Sequence, residues 1–445
     1  MNILVINGSP KGEYSITLQT VRYLQKKYPE HSFDVLHVGQ KIKSLEKNFA
    51  PAAQAIAKAE VLLFSYPVYT FIAPCQLHKF IRLMKENGAD VSGKTATQIT
   101  TSKHFYDVTA HRYIQDNVQE MGMDFIRGLS ADMDDLTTEK GRMEAEKWFE
   151  HFLWSREKGF FEPYFPFSPS PSVPVTVPQE TFEGKQGDVV IITDLTPENT
   201  QLAGMISRFR SRLPHATRVV NLREYPFNGG CLGCFRCAVS GKCVHKDGFD
   251  DYLRNQIQTA DAMVYAFTVS DHSMGPRFKM YDDRQFCNGH RTVTIGMPVA
   301  YLISGGYSKE TNLQTIIEGR AQVGSNILAG IATDETDPDA AIDRLAENLH
   351  YALVHKNTGP QNFLGVGGMK IFRDLIYQMR GMMRADHKFF KSHGQYDFPQ
   401  KKWPMSLAMY LVGAMIANPK VHSKMGNKMN EGMLMPYKKV LDDIE

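Results

Sequence analysis

Four of the six cysteines in this 445-residue chain fall in one short stretch, Cys231, Cys234, Cys237 and Cys243, with the spacing C-x2-C-x2-C-x5-C. Thiolates packed this closely repel one another, so a cation or a metal cluster is the natural group to hold them. Gly233 loosens the turn, and the leading thiols can converge on one point without help from distant structure. A three-cysteine run with an offset fourth is the spacing style of iron–sulfur ligation. Structural zinc more often uses two C-x2-C pairs set well apart. The plainer alternative is a reduced cysteine-rich loop or a pair of disulfides. The spacing therefore points to a metal centre, iron–sulfur ahead of zinc.

The other chemistry-bearing residues are more scattered. His245, two residues past Cys243, has the type to replace a cysteine on zinc. Cys287 has the type to serve as a substitute ligand or as a thiol beside a bound group, with core packing as its ordinary role. Cys75 sits at an expected helix start, which lowers a thiol pKa in principle, with packing as the simpler role. The 22 methionines are spread along the chain and read as adaptable packing.

Elements that would position these groups alternate between strand and helix. Asn2–Asn7 is a buried strand, Gly8-Ser9-Pro10-Lys11-Gly12 a loop, and Ser15–Tyr28 a helix with Leu18, Val21 and Leu24 on one face. That order turns loop N–H groups and the positive helix end toward one spot, an arrangement that suits an anion, although a bare strand–turn–helix shares the outline. Further strands are expected at 33–37, 60–65, 95–100 and around Phe125, with helices over 49–59, 74–86, 108–121 and 138–154. Such alternation implies a parallel sheet covered on both faces, with ligands beyond the carboxyl ends of the strands. The loops 9–17, 66–70 and 101–106 would gather at that edge.

Prolines at 163, 166, 169, 171, 174 and 178 then mark a stiff connector, a disordered tether being the milder alternative. Beyond it the pattern restarts, as an internal duplication would. Strands are expected at 188–192, 218–222, 262–267, 299–304 and 326–332. Helices should fill 200–212, 249–258, 310–322 and 337–354. The tail carries a docking helix over 369–383 with Arg373, Arg380, Arg384, Lys388 and Lys391 on its other side. That side reads as a solvated face, with a docking surface for an acidic redox partner as the alternative. Met405–Ala417 reads as a buried helix, with a membrane-surface contact as the alternative.

Composition sets the outer bounds. The chain is 42% hydrophobic and 22% charged with a formal charge of +3, so nothing in it asks for nucleic acid or an acidic membrane. Met1 leads straight into Ile3–Ile6, too short an apolar run for a secretion signal. The longest late apolar run falls short of a membrane span. Clustered cysteines without such a signal point to a reducing cytoplasm.

The first half resembles the NAD(P)H-dependent FMN reductases of flavodoxin-like fold. The resemblance rests on Ser9-Pro10-Lys11 with Ser15 and Thr17, and on Tyr66-Pro67-Val68-Tyr69 running into Ala73–Phe80. It implies an FMN phosphate at Ser9, Lys11, Ser15, Ile16 and Thr17. The isoalloxazine ring would lie along Pro67, Val68, Tyr69 and Thr70, with Ser102, His104 and Tyr106 flanking it. The family's usual Ser-Gly-Gly third loop is replaced here by Thr101-Ser102-Lys103-His104.

The second half resembles the iron–sulfur flavoproteins of the same family. Cys231, Cys234, Cys237 and Cys243 stand where that branch places its [4Fe-4S] ligands, and Phe278-Lys279, Asp283-Arg284 and Tyr301–Gly306 match further positions. Thr193-Asp194-Leu195 replaces the Gly-Ser-Pro loop and Thr268–Asp271 the Pro-Val-Tyr loop, so this half is expected to have lost its own flavin.

The resulting expectation is an α/β chain of two tandem flavodoxin-like doubly wound parallel-sheet domains with a helical C-terminal extension. The domains run 1–158 for FMN, 159–187 for the linker, 188–358 for the cysteine loop and 359–445 for the extension. The resemblance implies an oxidoreductase passing electrons between NAD(P)H or ferredoxin, FMN and a [4Fe-4S] cluster to a small-molecule or protein acceptor. The tandem itself could form a homodimer. A non-catalytic electron carrier and a zinc-stabilised flavin-binding protein are the other readings. Electron transfer of this kind asks no side chain to act as acid or base, so no catalytic residue is assigned.

Overall fold

Leu4 and Ile6 project from one face of strand β1 (Asn2–Asn7) and Ile3 and Val5 from the other, and both pairs are buried. A strand apolar on both faces must lie inside a sheet covered on both sides. The computed structural model describes residues 1–166, 168, 170–179, 184–397, 403–417, 434, 435, 437, 438 and 440–442. In the first half β1 is followed by α1 (Ile16–Lys27), β2 (Ser32–Leu36), α2 (Val38–Lys47), α3 (Ala50–Lys58), β3 (Val61–Pro67) and α4 (Cys75–Glu86). Then come β4 (Thr95–Ser102), α5 (Asp107–Glu120), β5 (Asp124–Phe125), β6 (Leu129–Asp132) and α6 (Glu139–Lys158). The strand order is β2-β1-β3-β4-β5, all parallel, with β6 also on β4.

The second half runs β7 (Gln186–Thr193), α7 (Thr200–Arg212), β8 (His215–Asn221), α8 (Arg236–Ser240), α9 (Phe249–Tyr252), β9 (Ala262–Thr268) and α10 (Gly275–Arg284). It continues with β10 (Pro298–Ser304), α11 (Thr311–Val323), β11 (Ile327–Thr333) and α12 (Pro338–His355). Its order, β11-β10-β9-β7-β8, is the first sheet's order read from the other edge, so the duplication is structural as well as sequential. Both are doubly wound flavodoxin-like sheets. After them come α13 (Phe363–Gln378), α14 (Arg384–Ser392) and α15 (Trp403–Ile416), the helical C-terminal part. Helices α2 and α10 and strand β6 are additions to the sequence expectation, although Val38, Ile42 and Leu45 mark one apolar face of α2.

Two units are distinguished by their internal contacts, Met1–Phe390 and Lys391–Glu445. Both sheets belong to the first, and the cores explain why. Ile3, Val5 and Ile99 pack outward against Leu18, Val21 and Phe149. Val189, Ile191 and Val264 pack outward against Leu202, Phe209 and Leu349. The inward faces of both sheets instead share one continuous core, from Leu4 and Phe80 to Ile192, Phe278 and Tyr301.

That shared core sits on a pseudo-two-fold interface between equivalent helices. Thr70-Phe71 after β3 and Asp271-His272 after β9 adopt the same left-handed turn, each closed by a matching bridge, Tyr69–Ile72 and Ser270–Ser273. Arg82 stands as far beyond Thr70 as Asp283 stands beyond Asp271. Thr70 Oγ1 donates to Asp283 Oδ1 at 2.6 Å, and in the mirrored contact Arg82 Nε donates to Asp271 Oδ2 at 2.8 Å. Reciprocal pairing of equivalent residues is the signature of an isologous dimer interface, here enclosed within one chain.

The proline-bearing connector is tied down along much of its described length. Val173 N donates to Asp334 O at 2.6 Å, Thr176 N to Asp339 Oδ1 at 2.9 Å, and Arg208 Nη1 to Thr176 O at 2.6 Å. A free tether is therefore not what these residues form; Pro169 lies outside the described residues.

Candidate functional site

The loop after β1 is shaped by Asn7, whose side chain donates to Gly12 O at 3.0 Å and accepts from Ser9 N at 3.1 Å. Gly12 sits at φ +57 in the left-handed region, which lets the loop turn into α1. Ser15 caps that helix, accepting from Leu18 N at 3.4 Å. The first-turn amides of a helix have no partners within it and favour an anion. Thr17 Oγ1 meets Thr101 Oγ1 at 2.6 Å, joining this loop to the end of β4. Lys11 makes no ion pair among the described residues, and its ammonium lies 5.6 Å from the ring centroid of Phe235, inside the cysteine loop.

One cleft gathers these parts. It is lined by Ser9, Lys11, Ser15, Ile16, Thr17, Pro67, Val68, Tyr69, Thr70 and Ser102 of the first lobe and by Cys231, Cys234, Cys237 and Cys243 of the second. His104 and Tyr106 stand outside it. Both are left-handed (φ 58 and 53), which turns the odd-numbered neighbours inward instead. His104 bonds Asp107 at 2.8 Å, and Tyr106 donates to Leu364 O at 3.0 Å. Thr101, Lys103, Phe105 and Met133 take their place on the wall, together with Phe286, His290 and Arg284. The sequence places the loop 101–106 at this edge and the resemblance names Arg284, but Met133, Phe286 and His290 carry no sign in the sequence, and which loop residues turn inward depends on backbone dihedrals.

The first lobe holds the cysteine loop directly. Gln76 Nε2 donates to Cys231 O at 3.2 Å and Lys43 Nζ to Asn228 O at 2.7 Å. At Gly230 a side chain would run into Cys75 Sγ, and at Gly233 (φ +61) into Tyr69 Oη. Beneath lies a fully buried pair, Lys279 with Asp283, from which Asp283 also accepts Cys75 N at 2.7 Å while Lys279 donates to Tyr69 O at 3.0 Å. Burial raises the Asp283 carboxyl pKa against the pull of Lys279. Burial also pushes Cys75 well above the ordinary thiol value, so desolvation outweighs the helix end that was expected to lower it.

The four cysteines are spread along the cleft rim. Left-handed residues at Gly233, Phe235 and Gly241 and the short helix α8 separate them, and Cys234 is exposed while the others are partly covered. Among the described residues no three His, Cys, Asp or Glu side chains are placed to hold a metal ion, so the convergence on a single point expected from the spacing is not formed. The donor chemistry nevertheless suits a thiolate-ligated cluster. Gly233 N donates to Cys231 Sγ at 3.4 Å, the kind of bond that supports a ligating sulfur. Burial raises Cys231 far above the usual thiol range and Cys237 to about 11, Asp386 adding to the latter. Such thiols become thiolates when a metal centre supplies positive charge.

Cations surround the loop. Arg284, buried, forks onto Asp247 at 2.8 and 2.7 Å, and Arg254 and Arg291 both donate to Cys287 O, at 2.7 and 3.3 Å. Cys287 itself lines the cleft, and burial pushes its thiol up to about 12 despite Arg254. His245 donates to or accepts from no thiol; its Nε2 lies 3.1 Å from Gly230 O, so it serves the turn.

The far wall comes from α13. Ile371, Phe372 and Leu375 line the cleft, and Phe372 stacks on Phe105 with centroids 4.5 Å apart. Asp386, at the start of α14, is fully buried and accepts from His290 N at 3.1 Å and from Arg291 Nη1 at 3.3 Å, fastening this region beside the cysteines.

The equivalent edge of the second sheet opens on a separate cavity lined by Asp194, Asn199, Thr268, Val269 and Ser270. Ser304 Oγ and Gly305 N both donate to buried Asp334, at 2.7 and 2.9 Å. Asp194 stands where a phosphate would need a neutral loop, and Thr196 is bonded to Asn199 at 2.7 Å.

This architecture defines a flavodoxin-like α/β protein built twice over one shared cleft. Residues 1–132 match the family of NADPH-dependent FMN reductases. An iron-sulfur flavoprotein from Archaeoglobus fulgidus is 24% identical over 175 residues, 37% of this chain and 78% of that protein. Among solved structures, an NADH:FMN oxidoreductase in its apo form is 19% identical, covers 35% of this chain and 89% of its own, and has a TM-score of 0.31. An FMN-dependent NADH-azoreductase from Bacillus anthracis, in complex with FMN, is 13% identical, covers 34% and 98%, and has a TM-score of 0.27.

Proposed function

We propose that this chain is a cytoplasmic flavin- and iron–sulfur-dependent oxidoreductase that moves electrons between NAD(P)H and a small-molecule or protein acceptor. The observation that carries the reading is the single cleft lined by the phosphate-type loop of one lobe and the four thiols of the other. When bound, FMN supplies paired-electron acceptance with single-electron release, and a [4Fe-4S] cluster single-electron transfer.

The chain's own residues do the rest. Ser9, Ser15, Thr17 and the start of α1 bind the phosphate, with Lys11 supplying positive charge. Pro67, Val68, Tyr69, Thr70 and Ser102, which line the cleft, would hold the ring. Cys231, Cys234, Cys237 and Cys243 are the residues that would hold the cluster. Phe105 and Phe372 exclude water from the space between.

The carboxylate of Asp194 on the cavity at the second sheet's equivalent edge supports one flavin per chain, and the enclosed pseudo-two-fold interface lets the tandem work without a homodimer. A second reading, a carrier exchanging electrons with a ferredoxin-like partner, gains weight from the α13 wall, which narrows the approach to the ring.

The test is anaerobic purification with FMN, iron and sulfide measured on one sample, followed by addition of NADH or NADPH. About one FMN and four iron atoms per chain, with rapid bleaching by a nicotinamide, is the expected result. Loaded protein indifferent to both nucleotides would make it a carrier. Zinc in place of iron, with no dithionite-bleachable absorption beside the flavin bands, would overturn the iron–sulfur assignment.

A further inference from the structure

We infer that the cavity at the second sheet's edge, walled by α2, α4 and α10, is a binding site for an organic anion with an apolar body, an aromatic carboxylate or sulfonate. Its volume is about 770 Å³, in the range of organic-ligand pockets and far beyond the needs of a single ion. No described residue lines both this cavity and the flavin cleft.

The pseudo-two-fold relation explains why the cavity exists. The loops after β7 and β9 line it as the loops after β1 and β3 line the flavin cleft. Helix α2, which follows β2, stands where the cysteine loop, which follows β8, stands on the other side. Gly230 and Gln76 belong to the wall, and Gln76 donates to Cys231 O. A ligand here therefore lies against the back of the cysteine loop.

Charge names the class of ligand. Five cations and three carboxylates line the cavity. Glu46 pairs with Lys79 at 3.2 Å, Glu86 with Arg82 at 3.8 Å and Asp194 with Arg223 at 4.0 Å. Arg82 also bonds Asp271 at 2.8 Å. Lys43 and Arg277 are left over, with no ion pair among the described residues. Lys43 donates to Asn228 O at 2.7 Å. Arg277 uses its Nη2 on Leu222 O and Tyr225 O, at 2.6 and 2.7 Å, and its Nη1 makes no hydrogen bond among the described residues. The guanidinium is steadied over the Phe227 ring, 5.0 Å from its centroid. Burial and the charge of Arg223 hold Arg277 below the ordinary guanidinium value, a crowding that a bound anion relieves. Phe227, Val269, Met274 and Met280 supply the apolar wall, and methionine adapts to the outline of a ring. Asp194 disfavours a phosphate dianion at the loop after β7, which leaves a singly charged group on the arginine side.

Binding here does not depend on what the four thiols hold, so zinc in place of iron would leave the inference standing. The test is equilibrium dialysis of the oxidised, cofactor-loaded full chain against 2-naphthalenesulfonate, with 2-naphthol as the uncharged control. The sulfonate should bind at about one per chain and about tenfold tighter than the naphthol, the worth of one charge-assisted hydrogen bond. Arg277→Gln removes the free guanidinium, and Met280→Trp fills the space without altering charge. Each should weaken sulfonate binding by about tenfold while FMN content and melting temperature hold. Met280→Trp carries the test by itself if Arg277→Gln fails to fold, since Arg277 also braces two carbonyls. Equal affinity for the two compounds, or sulfonate binding unchanged in Met280→Trp, would overturn the inference. So would a second FMN per chain that the sulfonate displaces, which would make the cavity a flavin site.

Discussion

Gly233 shows how narrowly a single position is constrained in this cleft. Its φ of +61 lies where a side chain is strained, and an added Cβ would collide with Tyr69 Oη of the opposite lobe. The Cys231 sulfur also receives the Gly233 N–H. Gly233→Ala is expected to lower iron content severalfold while leaving FMN content near one per chain, as measured by metal and flavin analysis of anaerobically purified protein. Lys279 is constrained by charge instead of space. It is fully buried against Asp283 and Asp282 at the lobe interface. Replacing it with methionine leaves the buried Asp283 carboxylate without its counter-charge, while Asp282 keeps Arg320, and the loss costs about 3–5 kcal/mol. Urea denaturation of Lys279→Met should show a loss of that size.

At the scale of elements, the turn after β9 and helix α5 meet through His272. Its Nδ1 lies 3.0 Å from Glu310 Oε1 and its Nε2 3.5 Å from Glu120 Oε2; Asp116 lies close enough to feel its charge. Burial opposes the charged ring, but the bonds to Glu120 and Glu310 outweigh it and push the His272 pKa up to about 9. Glu120 is held down at about 2, its bond to His272 the largest cause, so it stays ionised across the neutral range. A histidine pKa raised above the unfolded value of about 6.5 gives stabilisation that is complete below that pH and lost as pH climbs through the folded value. The melting temperature should therefore fall by several degrees between pH 6.5 and 9, and His272→Gln should flatten the profile. Helix α13 offers a different test. Phe372 closes the cleft by stacking on Phe105, so Phe372→Ala should open it to solvent. Air oxidation of the reduced protein, followed by absorbance, should become severalfold faster.

For the whole molecule, the decisive fact is that two sheets of identical order share one core and one cleft. Strands such as β1, β3, β7, β9 and β10 were legible in the sequence because each is a short apolar run, the pattern that burial in a parallel sheet requires, whereas β6 (Leu129–Asp132) carries no such run and was not expected. The duplication was legible for the same reason, in the restart of the pattern after the prolines. Cysteine spacing and the Ser-Pro and Pro-Val-Tyr stretches were visible because they are local. What a single chain position cannot announce is its partner across the interface. The meeting of Tyr69 with Gly233, of Lys11 with Phe235 and of Asp386 with Arg291 joins residues far apart in sequence. The outward turn of His104 and Tyr106 depends on backbone dihedrals that side-chain type does not dictate. Local apolar period and turn chemistry thus determined the two sheets and the candidate ligands. Only the pseudo-two-fold packing of α4 and α5 against α10 and α11 decided that both ligand sets face one cleft, since that packing arises from burial of surfaces that neither lobe could satisfy alone.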